Sequence, residues 1–216
     1  MSLSVEYPGE EEGLTPDVRE LIHEVATEAE AEARLHLPGL ADRLILLVYS
    51  GSNVIPEAGV GAAAIAPGVV ACTVDPNHPA GLKQIVKSEL RITLLHELHH
   101  LVRGFVLYGG RPARTFMDFV VAEGLATAFE RDVGGRTPPW GEYPDEVRDW
   151  VGELLALPLD APYHHWMFTH PDGRRWIGYR TGTYIADQAI AASGMSAAAL
   201  AALETDEVLR LAGLAV

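Results

Sequence analysis

Residues 93–102 read TLLHELHHLV, and in this run His96 and His100 stand four positions apart with Glu97 directly after the first of them. Side chains four positions apart lie on the same face of an α-helix, so both imidazoles can reach one metal ion. Zinc binds imidazole nitrogen at roughly 2.0–2.1 Å, and a catalytic zinc site keeps one coordination position for water. The segment therefore predicts a helix that supplies two zinc ligands, with Glu97 beside them as a general base.

The helical pattern around this segment begins near residue 79 and ends at Gly104, a typical residue for the end of a helix. Apart from His96, Glu97 and His100, residues 94–102 carry no formal charge, as we expect of a helix packed inside the protein. One stripe of this helix, at spacings of three and four, is formed by Leu82, Val86, Glu89, Thr93, His96 and His100.

A zinc site needs a third ligand, and the best candidate is Glu123 in the run FVVAEGLA at residues 119–126. A lone carboxylate in an apolar helix is costly to bury unless it is paired or binds a metal. Gly124 removes a side chain where a second helix must approach closely. The alternative interpretation is a surface glutamate in a salt bridge with Arg131 or Arg103.

This second helix has its own start and stop signals. Thr115 and Asp118 indicate an approximate capping box at its beginning, and the glycine pair 134–135 indicates its end. Two other acidic residues compete with Glu123 as ligands, but Asp118 is explained by the cap and Glu130 by a solvated face.

The rest of the chain predicts an α+β protein with a small N-terminal sheet followed by helices. Thr15, Pro16 and Asp17 indicate a helix start, with the threonine hydroxyl as cap, and the helix should run to about Leu37. Strands are predicted at 44–49, 61–65 and 69–73, the last two as a hairpin. Further helices are predicted at 144–156 and about 179–193, with two short ones capped by Ser196 and Thr205. A loop rich in His, Trp and Gly spans 162–178.

For the domain organisation, we expect a flexible acidic tail at residues 1–14 and a single domain at 15–216. Within that domain, a sheet lobe should span about 15–78 and a helical lobe about 79–216.

Composition excludes several classes of protein. The net charge of −14 disfavours nucleic acid as a partner, because phosphate binding needs a basic surface. No stretch approaches eighteen uncharged apolar residues, so no membrane span is expected. The N-terminus lacks the basic start and apolar run of a secretory signal, which predicts a cytoplasmic protein. Cys72 is the only cysteine, so an internal disulfide is impossible.

The two helical motifs, His96-Glu97-x-x-His100 and Glu123-Gly124-Leu125-Ala126, resemble those of the gluzincin group of metallopeptidases. More narrowly, the chain resembles the bacterial family of predicted zinc-dependent proteases, domain of unknown function 2268. The segments at 166–168 and 176–182 are also similar to that family's C-terminal pattern. The resemblance covers about residues 40–212 and leaves the first helix outside.

The resemblance implies a thermolysin-like, zincin-like catalytic core around one Zn²⁺ ion that hydrolyses peptide bonds of a peptide or protein substrate. His96, His100 and Glu123 would be the ligands and Glu97 the base. Thr127 stands where thermolysin-like enzymes carry an acid that orients a ligand, and Asp118 or Glu130 would have to supply that partner.

The oxyanion of the reaction also needs a hydrogen-bond donor, typically worth about 3 kcal/mol. Tyr179 is the first choice, with His170, Arg180 and Tyr184 behind it. The edge of the strand at 61–65 is a candidate surface for an extended peptide.

Two alternatives remain open at this stage. The chain could be a metal-binding or protein-interaction module on a zincin scaffold, without catalysis. Peptide deformylases combine a His-Glu-x-x-His helix with an upstream cysteine ligand, which would give Cys72 a role. The glycine-rich motif of that family is absent around Cys72, so we expect a buried strand residue instead.

Overall fold

The computed structural model describes residues 2–9 and 13–214. The chain forms two compact units, Met1–Arg111 and Pro112–Val216, called the first and the second unit below. The expected boundary between lobes near residue 79 differs from this division. The helix that carries His96 and His100 packs against the first helix and the sheet, and therefore belongs to the first unit.

The first unit contains a sheet and helices. In the described part of the chain, the four strands are β1 (Ser2–Glu6), β2 (Arg43–Ser50), β3 (Val60–Ala66) and β4 (Val69–Val74). Their order in the sheet is β1-β2-β4-β3. The β1–β2 and β2–β4 pairs are parallel, and β3 and β4 form an antiparallel hairpin. The predicted hairpin and its neighbouring strand are thus confirmed.

The expected N-terminal tail is wrong for residues 2–6, because these residues form strand β1. Ser2 pairs with Arg43 and Glu6 with Leu47, in a regular parallel register. The exposure of β1 alternates along the strand, as for an edge strand with one solvated face. Its short polar sequence carries little strand signal, so pairing with β2 determines its structure. The acidic residues 10–12 of the expected tail lie outside the described residues.

Helix α1 (Pro16–His36) matches the predicted helix and begins with proline at its first turn. The Thr15 hydroxyl donates to the Asp17 carboxylate, rather than accepting a backbone N–H as predicted. The apolar face of α1 joins the core of the first unit, because Val18, Ile22 and Val25 are buried in one cluster with residues of the sheet. This packing supports the sheet from one side.

The predicted helix before Gly104 is present but contains a wide turn. It consists of α2 (Leu82–Ile85), a π-helical turn (Val86–Leu90) and α3 (Arg91–Arg103). A π-helical turn inserts one residue, which rotates the following helix by about 100° relative to an uninterrupted α-helix. Gly104 ends α3 at φ 74°, the left-handed conformation that favours glycine.

The second unit is helical, as predicted. The helices are α4 (Phe116–Gly134), α5 (Val147–Leu155), α6 (Tyr163–Met167), α7 (Ile177–Ser193), α8 (Ala197–Leu200) and α9 (Thr205–Leu211). Helix α6 forms inside the predicted loop, and α9 begins at Thr205 with Glu204 as its cap. Thr205 is therefore the first helical residue and not the cap. The Ser196 cap is confirmed, since its hydroxyl oxygen accepts the Ala199 N–H at 3.2 Å.

Helices α4 and α7 touch through two glycines. A Cβ atom added at Gly124 would lie 1.9 Å from the carbonyl carbon of Gly182, and one at Gly182 would lie 2.1 Å from the Val120 oxygen. Only a residue without a side chain permits this backbone contact. The close helix approach predicted from Gly124 is confirmed, and it occurs directly beside Glu123.

The α+β class and the order of a small sheet followed by helices are confirmed. Among the described residues, no helix is long and apolar enough to cross a membrane.

The glycine contact gives a stability prediction. Gly124→Ala should lower the free energy of unfolding by about 1–3 kcal/mol or more, because the α4 and α7 backbones must separate. Gly152→Ala is the matched control, since Gly152 is an exposed residue of α5 and no atom lies within 4 Å of an added Cβ. This variant should be neutral or stabilised by up to about 1 kcal/mol through helix propensity. Urea unfolding measures both, and equal stability of the two variants would contradict the contact.

Candidate metal centre

The two predicted histidine ligands share one buried face of α3. His96 and His100 are 7% and 3% exposed, and their ring centroids lie 4.6 Å apart in an edge-to-face arrangement. The His100 ring also contacts Phe105, at 4.9 Å between ring centroids. The one-turn spacing in the sequence therefore brings the two imidazoles together, as predicted.

Glu97 is connected to the sheet by a backbone hydrogen bond. Its Oε2 accepts the Ala64 N–H of β3 at 2.7 Å, and the residue is 7% exposed. A buried carboxylate needs such a donor, because loss of its hydration is costly. The hydrogen bond fixes the orientation of the carboxylate and leaves its second oxygen for other chemistry.

Cys72 is a buried strand residue, as expected. Burial, with a further contribution from the Glu97 carboxylate, raises the pKa of the Cys72 thiol to about 12. A metal ligand must be a thiolate, so this environment disfavours Cys72 as a ligand. The deformylase-like alternative has no support in the structure.

The third predicted ligand, Glu123, lies in the middle of α4 and is 5% exposed. All residues of the helix from Val120 to Glu130 are buried, so Glu123 does not lie at the surface and Glu130 does not lie on a solvated face, contrary to both expectations. The Tyr163 hydroxyl donates a hydrogen bond to Glu123 Oε1 at 3.3 Å.

His96, His100 and Glu123 each offer one ligand atom, and the three atoms lie within 4.8 Å of one another. Ligand atoms around a tetrahedral zinc ion lie about 3.3 Å apart, given bond lengths of roughly 2.0–2.1 Å. Two imidazole nitrogens and one carboxylate oxygen also form a donor set that suits zinc. The group consists of His96, His100 and Glu123 and includes no cysteine.

The other predicted site residues make different contacts. The Tyr179 ring packs against Trp176 and Phe168, with ring centroids 5.6 and 6.0 Å apart. Arg180 donates from Nη2 to the Pro139 carbonyl at 3.3 Å. The Tyr184 hydroxyl accepts a hydrogen bond from Arg148 Nε at 3.0 Å.

His170 and Asp118 contact residues that are close to them in sequence. His170 Nδ1 lies 2.8 Å from Asp172, in a turn closed by the bridge between Thr169 and Arg175. Asp118 accepts the N–H groups of Arg114 and Thr115 at 2.7 and 2.9 Å, as the cap of α4. Burial by itself would raise the pKa of Asp118. Hydrogen bonds from the Thr205 side chain and from these two amides have the larger combined effect, so the pKa is lowered.

Sequence reasoning missed Tyr163. It lies in the His- and Trp-rich loop and directly follows Pro162, but no spacing relates it to Glu123, which lies 40 positions earlier. Nothing in the sequence distinguishes it from the other aromatic residues of the loop.

The buried group of two imidazoles and one carboxylate, with a further carboxylate next to the first imidazole in sequence, defines a candidate metal site. Residues 19–210 match the family described as Predicted Zn-dependent protease (DUF2268), and the chain belongs to this family. The expected resemblance is confirmed, but the match includes most of α1, which was expected to lie outside it. Comparison with curated proteins and with solved structures found no match.

The ligand set predicts the effect of removing each ligand. His96→Ala, His100→Ala and Glu123→Ala should each weaken zinc binding by more than the 10–100-fold typical of losing an outer-sphere partner. His165→Ala, an exposed histidine, should bind zinc like the unchanged protein. Elemental analysis after equilibration in zinc buffers measures the bound metal. Full zinc occupancy in any of the three ligand variants would contradict the assignment.

Proposed function

We propose that this protein is a zinc-dependent peptidase in which His96, His100 and Glu123 hold one Zn²⁺ ion and Glu97 is the general base. The observation that carries the proposal is the buried His-His-Glu group, with Glu97 adjacent to His96 on the same helix. Membership of a family described as predicted zinc-dependent proteases supports it.

Zinc, when bound, supplies a Lewis acid for a water molecule and for the scissile carbonyl. The protein must then move a proton, and Glu97 is the group for this role. One of its oxygens is held by the Ala64 amide, while the other accepts the proton of water and later delivers it to the leaving amine nitrogen. The hydrogen bond from the Ala64 N–H can form whether the Glu97 carboxyl group is ionised or protonated on its other oxygen, so Glu97 keeps its position during the transfer.

The edge of β3 supports a peptide as the substrate class. Ala64 uses both its backbone groups on the side away from β4, since its N–H donates to Glu97 and its C=O accepts the Leu107 N–H at 3.1 Å. Backbone groups alternate along a strand with a period of two, so the N–H and C=O of Ala62 face the same side. We propose that an extended peptide pairs with Ala62 there by adding a short strand.

Tyr179 stays our proposed donor for the oxyanion. Tyr179 lies in the first turn of α7, directly after the aromatic loop, and its ring packs against Trp176 and Phe168. If Tyr179 has this role, Tyr179→Phe should reduce kcat and leave zinc affinity unchanged.

The experiment that tests the function is the substitution Glu97→Gln. The amide oxygen of glutamine can still accept the Ala64 N–H, but glutamine cannot accept the proton of water. We therefore expect full zinc occupancy with kcat reduced by about 10²–10⁴-fold, as for loss of a general base. Cleavage of a peptide library, read by mass spectrometry, measures the activity.

Glu20→Gln is the matched control, because Glu20 is exposed on α1 in the same unit. It should cleave the library like the unchanged protein. Hydrolysis that survives Glu97→Gln would disprove the role of Glu97. A zinc-loaded, unchanged protein that cleaves no peptide in the library would instead favour the non-catalytic, metal-binding alternative.

A further inference from the structure

The hydroxyl of Tyr163 contacts the carboxylate of the proposed ligand Glu123. Both residues belong to the second unit, and the distance from the Tyr163 hydroxyl oxygen to Glu123 Oε1 is 3.3 Å. A carboxylate has two oxygens, so one can accept this hydrogen bond while the other binds a metal. Glu123 stands inside a fully buried stretch of α4, where a carboxylate needs polar partners because its hydration is lost.

Neighbouring aromatic rings hold the Tyr163 ring in place. Phe119 packs against it at 5.3 Å between centroids and at 83°, and Phe168 packs against it at 6.1 Å and 61°. Phe119 precedes Glu123 by four positions on α4, so the two side chains lie on the same face of that helix. The ring that supports the tyrosine and the carboxylate that receives its hydrogen bond are thus placed by one helix.

The helix that carries Tyr163 is itself closely packed. A Cβ atom added at Gly178 of α7 would lie 2.0 Å from the Met167 sulfur of α6, so the glycine lets the two helices approach. Met167 is fully buried. Tyr163 begins α6, and its backbone is therefore fixed by the contact of α6 with α7.

We propose that Tyr163 is a positioning residue for the metal ligand Glu123. Its hydroxyl binds one carboxylate oxygen and thereby orients the other toward the metal. The inference rests on the metal-binding part of the proposed function but not on hydrolysis. Loss of such an outer-sphere partner typically weakens metal binding 10–100-fold. Because 3.3 Å is long for a hydroxyl–carboxylate bond, we expect a value near the lower end, about 10-fold.

The test compares Tyr163→Phe with Tyr143→Phe. Phenylalanine keeps the ring contacts with Phe119 and Phe168 and removes only the hydroxyl. Tyr143 is the matched control, because its hydroxyl also donates to a carboxylate of the second unit, that of Asp187, at 3.0 Å. Zinc affinity is measured by competition with a chromophoric chelator, and the visible spectrum of the cobalt-loaded protein reports the ligand geometry.

We expect Tyr163→Phe to bind zinc about 10-fold more weakly and to change the cobalt spectrum, while Tyr143→Phe changes neither. Unchanged zinc affinity and an unchanged cobalt spectrum in Tyr163→Phe would overturn the proposal. A Tyr163→Phe variant that loses only kcat would also overturn it, because that result would indicate that Tyr163 contacts the substrate.

The metal-free proteins serve as a folding control. Tyr163→Phe and Tyr143→Phe each lose one hydroxyl–carboxylate hydrogen bond, so both should unfold at similar urea concentrations, slightly below that of the unchanged protein. Weaker zinc binding that merely follows a much lower stability of metal-free Tyr163→Phe than of Tyr143→Phe would also overturn the proposal.

The outcomes separate this inference from the proposed function. If the unchanged protein binds zinc without cleaving peptides, the peptidase assignment fails and the Tyr163 measurement still decides. If it cleaves peptides and Tyr163→Phe binds zinc normally, only the role of Tyr163 fails. An unchanged protein that binds no zinc overturns both.

Discussion

The burial of ionisable side chains is the constraint on which the rest of the structure depends. His96, Glu97, His100 and Glu123 are each less than 8% exposed. Removing such groups from water is costly unless each gains a hydrogen bond, an opposite charge or a metal. The Ala64 N–H donates to Glu97 and the Tyr163 hydroxyl donates to Glu123, and two imidazoles with one carboxylate form a donor set that suits a cation.

For Glu97, the required hydrogen bond comes from the packing of α3 on the sheet. Leu94 of α3 is buried in the same apolar cluster as residues of α1, β2 and β4, which determines how α3 lies on the sheet. With α3 in this position, the Ala64 N–H of the edge strand points at the Glu97 carboxylate. An apolar core therefore orients a buried carboxylate, and burial also keeps the neighbouring Cys72 thiol in its neutral form.

In the second unit, glycine contacts determine the position of the side chain that donates to Glu123. Gly124 and Gly182 allow α4 and α7 to touch through their backbones, and Gly178 allows α6 to approach α7. These contacts determine where α6 begins, and with it where the Tyr163 hydroxyl meets Glu123. Glycines, which have no reactive side chain, thus determine where the neighbouring polar side chains lie.

The sequence by itself predicted the two histidines, the adjacent glutamate and the glutamate that completes the buried group, because helical periodicity and the cost of a buried charge are local properties. It also predicted the β3–β4 hairpin and most helix ends, since turn and cap residues act within a few positions. Only the tertiary structure decided the pairing of β1 with β2, the Ala64–Glu97 hydrogen bond and the Tyr163–Glu123 contact. Each of these joins residues that are more than thirty positions apart, and their meeting depends on how whole strands and helices pack, which no local pattern encodes.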